Sequence, residues 1–372
     1  MRTGAARPLA AEPGPGAARP ALVVPHTRPF LGVDEEEAAL RVIRSARLAP
    51  GAEAARLEGL LSRLAGSADA VALNSGTTAL TLALRALGVP EGAGVVVPSW
   101  TCAALLHAVA GAGARPIVCD VDPDTLALDP DRLRRGPAAA ARAVIVVHPF
   151  GLPVPVEPYR ADGRVVIEDC AQSPGARLQG RPVGAAGAAS VFSFGPTKLL
   201  TCGGPGGGLA SGDPSIVRTA RDLAGHDEKE DARPRLNGLM GDLHAAVASA
   251  QIGRLGVVVT RRRAIVERYD AAFQGIGSRP RLHPTAQPVF YRYLLGLPAR
   301  AGQVIDRLRK AGIQARFPVH RPLHRLVAGS GPCPGADEAQ GRWISLPLAA
   351  AFSSAEVDRV IDEVTACLSS RS

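Results

Sequence analysis

Six short apolar runs, each closed by polar or glycine-rich residues, constrain this chain more than any other feature. They are AVALN (70–74), VVVPS (95–99), PIVCD (116–120), AVIVVH (143–148), VVIED (165–169) and SVFSF (190–194). Helical patterns stand between them, such as TALTLALRAL after the first and CAALLHAV after the second. Short strands alternating with helices predict an α/β fold: a largely parallel sheet with helices on both faces. In such sheets ligands gather outside the carboxyl ends of the strands. Ser75, Trp100, His148, Asp169 and Lys198 all fall at or just beyond those ends.

The chain is 372 residues long, enough for one large domain and a smaller partner. Residues 1–27, rich in Ala, Pro, Gly and Arg, read as a poorly ordered extension. They lack the apolar core of a secretory signal. Residues 28–256 read as the large domain. Its first helix is expected near Asp34 as N-cap, and a break at 47–51 separates it from a second helix. Residues 257–372 read as a linking helix and a small α/β domain. Its strand lies in PVFYRYLLGLP, and its last helix is capped by Ser353 or Ser354. Arg261, Arg262 and Arg263 read as a solvated helix face rather than a binding site.

The net charge is +9, from 43 basic and 34 acidic residues. The arginines are scattered and only 4% of residues are aromatic, which argues against a nucleic-acid surface. Attraction of an anionic small substrate fits the charge equally well. No run is long and apolar enough for a membrane span, so no membrane partner is expected. Six cysteines without CxxC spacing indicate neither a zinc site nor a dithiol motif, and a cytoplasmic, reducing setting follows.

The chemistry concentrates between residues 165 and 211. One apolar run ends in Asp169 and Gln172; the next ends in Ser193 and, past a Gly-Pro turn, Lys198. A lysine can bond covalently to a carbonyl cofactor, and a carboxylate can keep a pyridine nitrogen protonated. The pair therefore points to pyridoxal 5′-phosphate; the bland alternative is a structural ion pair. The turn Asn74-Ser75-Gly76-Thr77-Thr78, between a strand and a helix, is either an anion site or an ordinary cap. The glycine run 203–208 lacks a Walker lysine and reads as a turn into a strand. No GxGxxG opens the first strand–helix turn, so a nicotinamide enzyme ranks last.

Read in order, DEEEAALRVIRSARLAPG, LNSGTTAL, VVVPSWT, IVCDVDPDTLALD, VIEDCAQSPGA, SVFSFGPTK, LNGLMGDLHAAVASAQI, AGIQARFPVHRPLH and ISLPL resemble one family. It is that of the DegT/StrS-type nucleotide-sugar and aminocyclitol aminotransferases, which are fold type I pyridoxal-phosphate enzymes. The resemblance runs from about residue 28 to residue 368. It implies that Lys198 carries the cofactor and moves the proton, and that Asp169 partners the ring nitrogen. It also implies that Gln172 lies near the ring oxygen and that Gly76, Thr77 and Ser193 hold the phosphate, with the Ser75 hydroxyl a further donor in that turn. Cys102 stands at the position that stacks on the ring, so either Trp100 shifts to cover the ring or the stack is weaker. Asn237 would reach the cofactor of a neighbouring subunit, implying a homodimer with shared active sites. The substrates implied are a keto-sugar or keto-cyclitol and an amino-acid donor such as glutamate or glutamine. Departures are Cys102 where an aromatic or histidine is usual, Gly238-Leu239 in place of Tyr-Arg, a glutamate missing from the glycine turn, and Pro318-Val319 in place of His-Tyr. They keep a sensor that binds the cofactor, or altered dehydratase-like chemistry, as alternatives; Lys198 itself argues against the dehydratase.

Overall fold

A computed structural model describes residues 23–160, 163–227, 229–298 and 300–369. Helices α1 (Val33–Ser45) and α2 (Ala52–Ala65) precede strand β1 (Asp69–Leu73). Helix α3 (Gly76–Ala86), strand β2 (Gly94–Pro98), helix α4 (Ala104–Gly111) and strand β3 (Arg115–Cys119) follow. Then come β4 (Ala143–Val147), β5 (Val165–Asp169), the short pair β6 (Arg177–Leu178) and β7 (Arg181–Pro182), β8 (Ala189–Ser193) and β9 (Gly207–Ser211). Seven strands form the main sheet in the order β1-β9-β8-β5-β4-β2-β3, and only β9 runs against its neighbours.

Strand periodicity sends alternate side chains to opposite faces. Val95, Val97, Ala143, Ile145 and Ile167 pack on one face with α3, α4 and helix α5 (Pro214–Ala224). Val96, Val144, Val146 and Val166 fill a second cluster on the other face. At the β1 edge, that other face is covered by α2 and helix α6 (Asp242–Gly253) through Leu57, Leu61, Ala245 and Ala248. All five residues of β4 are buried, as a central parallel strand requires.

The strict alternation of strands and helices fails between β3 and β5. Those crossovers carry short 3₁₀ turns and loops, and Pro130, Pro137, Pro149 and Pro158 each sit in the first two positions of a turn, where a missing N–H is tolerated. Helix α1 is capped by Gly32 rather than Asp34, and Glu35 reaches back to the Gly32 N–H at 2.7 Å.

Helix α7 (Leu255–Ala272) leads away from the large sheet. Beyond it lie β10 (Ala286–Gln287), β11 (Tyr293–Gly296), α8 (Ala301–Lys310), α9 (Pro334–Arg342), β12 (Trp343–Leu346) and α10 (Ser354–Ser369). Strands β11 and β12 pair antiparallel, and their inner face packs with α7, α8 and α10. Ser353 starts α10 in a reciprocal cap: its hydroxyl accepts from Glu356 N at 3.3 Å, and Glu356 Oε2 accepts from Ser353 N at 2.9 Å.

Two expectations need correction. The extension drawn over 1–27 ends too late. Residues 1–22 lie outside the described residues, but Val24 and His26 are buried, and Val24 exchanges backbone bonds with Gly312 and Gln314. The arginine triplet is not simply solvated either. Arg262 is buried and donates to Phe290 O at 2.8 Å and Tyr291 O at 2.7 Å, which satisfies a charge too costly to bury alone. Among the described residues no single helix is long and apolar enough to cross a membrane.

Candidate active site

Strands β1, β8 and β5 are mutually parallel, so their carboxyl ends open on one edge of the sheet. At the end of β1, Ser75 caps α3 by accepting the Thr78 N–H at 3.0 Å. The first N–H groups of the helix, on Gly76 and Thr77, have no intrahelical acceptor and carry the positive end of the helix dipole. Ser193, at the end of β8, stands against them: a Cβ placed on Gly76 would lie 3.0 Å from Ser193 Cβ. Gly207 is in register with both Leu73 and Ser193, and a Cβ there would come within 2.5 Å of the Gly76 nitrogen. Only glycine permits that approach, which gathers two amides and a hydroxyl at one point, a donor set suited to an anion.

Asp169 closes β5. It is buried, and the only hydrogen bond to its carboxylate among the described residues is from Ala171 N at 2.9 Å. Burial pushes its carboxyl up, and the Ala171 N–H, Lys198 and His148 only partly hold it down. Such a carboxylate fits a cationic N–H partner. The Lys198 amine makes no hydrogen bond or ion pair among the described residues; its Nζ lies 5.7 Å from the centre of the Tyr291 ring. Gln172 accepts the Phe150 N–H through Oε1 at 2.7 Å, which leaves its amide N–H₂ as the free end, a donor suited to a ring oxygen. Phe150 is held at φ +56°, a strained value for a bulky residue.

Not every strand-end residue is available. Trp100 is 1% exposed, packs edge-on to Phe150 and donates Nε1–H to Gln340 at 2.8 Å, so it offers no face to a ligand. Cys102, two residues on, is exposed. His148 is buried and bonds to Glu168 at 3.0 Å, while its Nδ1 accepts from Val154 N at 3.1 Å. Glu168 also accepts the amides of Gly184, Ala186 and Gly187. Burial works to raise the Glu168 carboxyl, but His148 and these amides hold it below its usual range. The neighbouring His148, Glu168 and Cys170 could outline a metal site, yet the ring nitrogens and carboxylate oxygens are already engaged. Glu168→Gln is expected to cost about 3 kcal/mol in a denaturant titration, because an amide N–H₂ would face donors; an unchanged midpoint would contradict this role.

Asn237 is exposed. Its backbone oxygen is pinned by Asn74 Nδ2 at 2.9 Å, and the next residue, Gly238, accepts Asn74 N at 2.7 Å. A Cβ on Gly238 would sit 3.1 Å from Thr78 Cγ2, so a side chain there would press on the Thr78 methyl. Tyr291 was not legible as a site residue. Its ring meets Lys198, and although burial works to raise its hydroxyl, Arg292, Lys198 and Thr197 outweigh this and lower it.

Pyridoxal phosphate needs an anion cradle, an amine, a carboxylate for its ring nitrogen and a donor for its ring oxygen, and the residues present fit each. The site and the sheet order define the fold of the pyridoxal-phosphate aminotransferases. The model of the DegT/DnrJ/EryC1/StrS aminotransferase family matches residues 29–365, and the chain belongs to that family. Among solved structures it is similar to S. venezuelae DesV, solved in complex with a ketimine intermediate: 31% identity, 91% of this chain and 95% of that one, TM-score 0.84. The aminotransferase TlmJ from Streptoalloteichus hindustanus shows 32% identity over 93% of this chain and 99% of its own, at TM-score 0.86. The sugar aminotransferase CalS13 from Micromonospora echinospora shows 27% identity over 92% and 99%, at TM-score 0.84. The chain is a pyridoxal-phosphate-dependent aminotransferase.

Proposed function

We propose that this enzyme moves an amino group from an amino acid, glutamate or glutamine, to the ketone of a sugar or cyclitol, the sugar being nucleotide-linked. The observation that carries the reading is the convergence of Lys198, Asp169 and the Gly76–Ser193 cradle at one sheet edge, in a chain whose solved relatives include a sugar aminotransferase. When bound, the cofactor supplies an electron sink for charge developing on the substrate carbon. Gly76, Thr77 and Ser193 anchor its phosphate, with Ser75 holding the turn. Asp169 keeps the ring nitrogen protonated, and Gln172 orients the ring through its amide donor. Cys102 faces the ring with a small thiol where a flat side chain would stack. Lys198 shuttles the proton at the reacting carbon, within the range of about 10²–10⁴-fold that a positioned base contributes.

The exposed Asn237 supports a homodimer with shared sites, because its backbone is held beside Asn74 while its side chain faces outward. Free thiols at Cys102, Cys119, Cys170, Cys202 and Cys333 support a cytoplasmic setting. Purified protein is expected to show a visible cofactor band that glutamate or glutamine bleaches. A panel of keto-sugars should then restore the band and yield an amino product by mass spectrometry. A band indifferent to every amino donor would refute transfer and favour a sensor.

A further inference from the structure

A second concentration of positive charge lies beside Lys198, on the C-terminal side of the chain. A cavity of about 770 Å³ opens between residues 23–26 and 312–320. Its charged lining is Arg292, Arg309, Arg316, His26 and His320, and no acidic side chain lines it. Several partly buried arginines elsewhere have carboxylates: Arg254 pairs with Glu35, Arg235 with Asp222, Arg342 with Asp124, whereas the buried Arg262 is satisfied by two carbonyls. Among the described residues Arg292, Arg309 and Arg316 have no carboxylate.

Arg292 is nevertheless held in place. It donates to His26 Nδ1 and, through Nη2, to the Tyr291 hydroxyl at 3.0 Å. Because His26 accepts at Nδ1, its proton sits on Nε2, 2.9 Å from Ser345 Oγ. Burial first, then Arg292 and Arg316, lowers the His26 pKa to about 2, so the ring stays neutral. A neutral imidazole and a phenol thus aim the guanidinium without cancelling its charge. Arg309 is tied through Nε to Ala315 O at 3.0 Å, and the exposed Arg316 side chain makes no hydrogen bond among the described residues. Half-burying one cation beside two others, with no anion, is unfavourable unless an anion arrives.

The cluster is linked to the reaction centre. The Tyr291 ring lies 5.7 Å from Lys198 Nζ and 4.5 Å from the Arg292 guanidinium carbon, so one side chain spans the two. We propose that this cavity is an oxyanion subsite, in which Arg292 and Arg316, backed by Arg309, bind a phosphate group carried by the keto substrate. Three guanidinium groups suit a dianion with several acceptor oxygens better than a single carboxylate, and their planar forks match phosphate oxygens. The inference rests on the aminotransferase reading only for the identity of its natural ligand.

The test is calorimetric titration of the cofactor-loaded enzyme with inorganic phosphate and pyrophosphate, beside Arg316→Gln and Arg292→Gln. Arg316→Gln removes a side chain with no structural partner, so its fold is expected to persist. Either variant should weaken phosphate binding by about 10- to 100-fold, the loss of one charge-assisted contact. Equal phosphate binding by Arg316→Gln and the parent would overturn the subsite. A second arm follows bleaching of the cofactor band by the amino donor, and its return with phosphorylated and unphosphorylated keto-sugars. A rise in KM confined to the phosphorylated acceptor supports the assignment. A rise confined to the donor would overturn it, making the anion the donor's carboxylate. The binding arm needs no turnover, so it stands even where no donor bleaches the band.

Discussion

Lys198→Ala is expected to lower turnover by about 10⁴-fold, the upper range for losing a positioned base, while pyridoxal phosphate remains bound without a covalent link. The amine is the one group at this edge able both to bond the cofactor and to carry the proton. In the free protein nothing competes for it: among the described residues it makes no hydrogen bond or ion pair, only a contact with the Tyr291 ring. The cradle built from Gly76, Thr77 and Ser193 does not depend on the lysine, so affinity should fall far less than rate. Hydride reduction followed by intact-mass measurement should add the cofactor's mass to the parent and not to the variant. Full activity in Lys198→Ala would end the assignment.

Asp169→Asn is the second large effect, about 10³-fold in kcat, comparable to removing a group that stabilises developing charge. The side chain is isosteric and keeps the Ala171 contact available, so the loss should fall on rate rather than fold. A stability measurement separates this role from packing. Burial raises the Asp169 carboxyl, so without cofactor the folded state holds a proton that the unfolded chain releases. The apo-protein therefore loses stability as pH climbs from the ordinary aspartate range through that raised value, and Asn removes the slope. Bound cofactor, with a protonated ring nitrogen, should also flatten it. A pH profile identical in apo-parent and apo-variant would count against a charge role for Asp169.

How far the residues alone carried the account can be traced case by case. Apolar runs made the strands legible, and polar residues at their ends made Asp169, Ser193 and Lys198 legible as a group. Trp100 and His148 satisfied the same strand-end rule, yet both are buried, one bonded to Gln340 and the other to Glu168. Position along a strand says where a side chain begins; its neighbours in space decide whether a ligand can reach it. The cationic cavity was invisible for the same reason, since His26 and Arg292 stand 266 residues apart.

Local sequence determined the α/β class, the cap at Ser75 and the acid–lysine pair, because side-chain periodicity, turn chemistry and capping act within a few residues. Only the tertiary structure decided that β9 enters antiparallel between β1 and β8, which brings Gly207 against the Gly76 amide at the turn proposed to hold the phosphate. It also decided that residues 23–26 dock on the C-terminal unit and complete the arginine cluster. Those outcomes depend on which apolar faces and backbone edges find each other across long loops, an energy spread over many distant contacts that no short stretch of chain encodes.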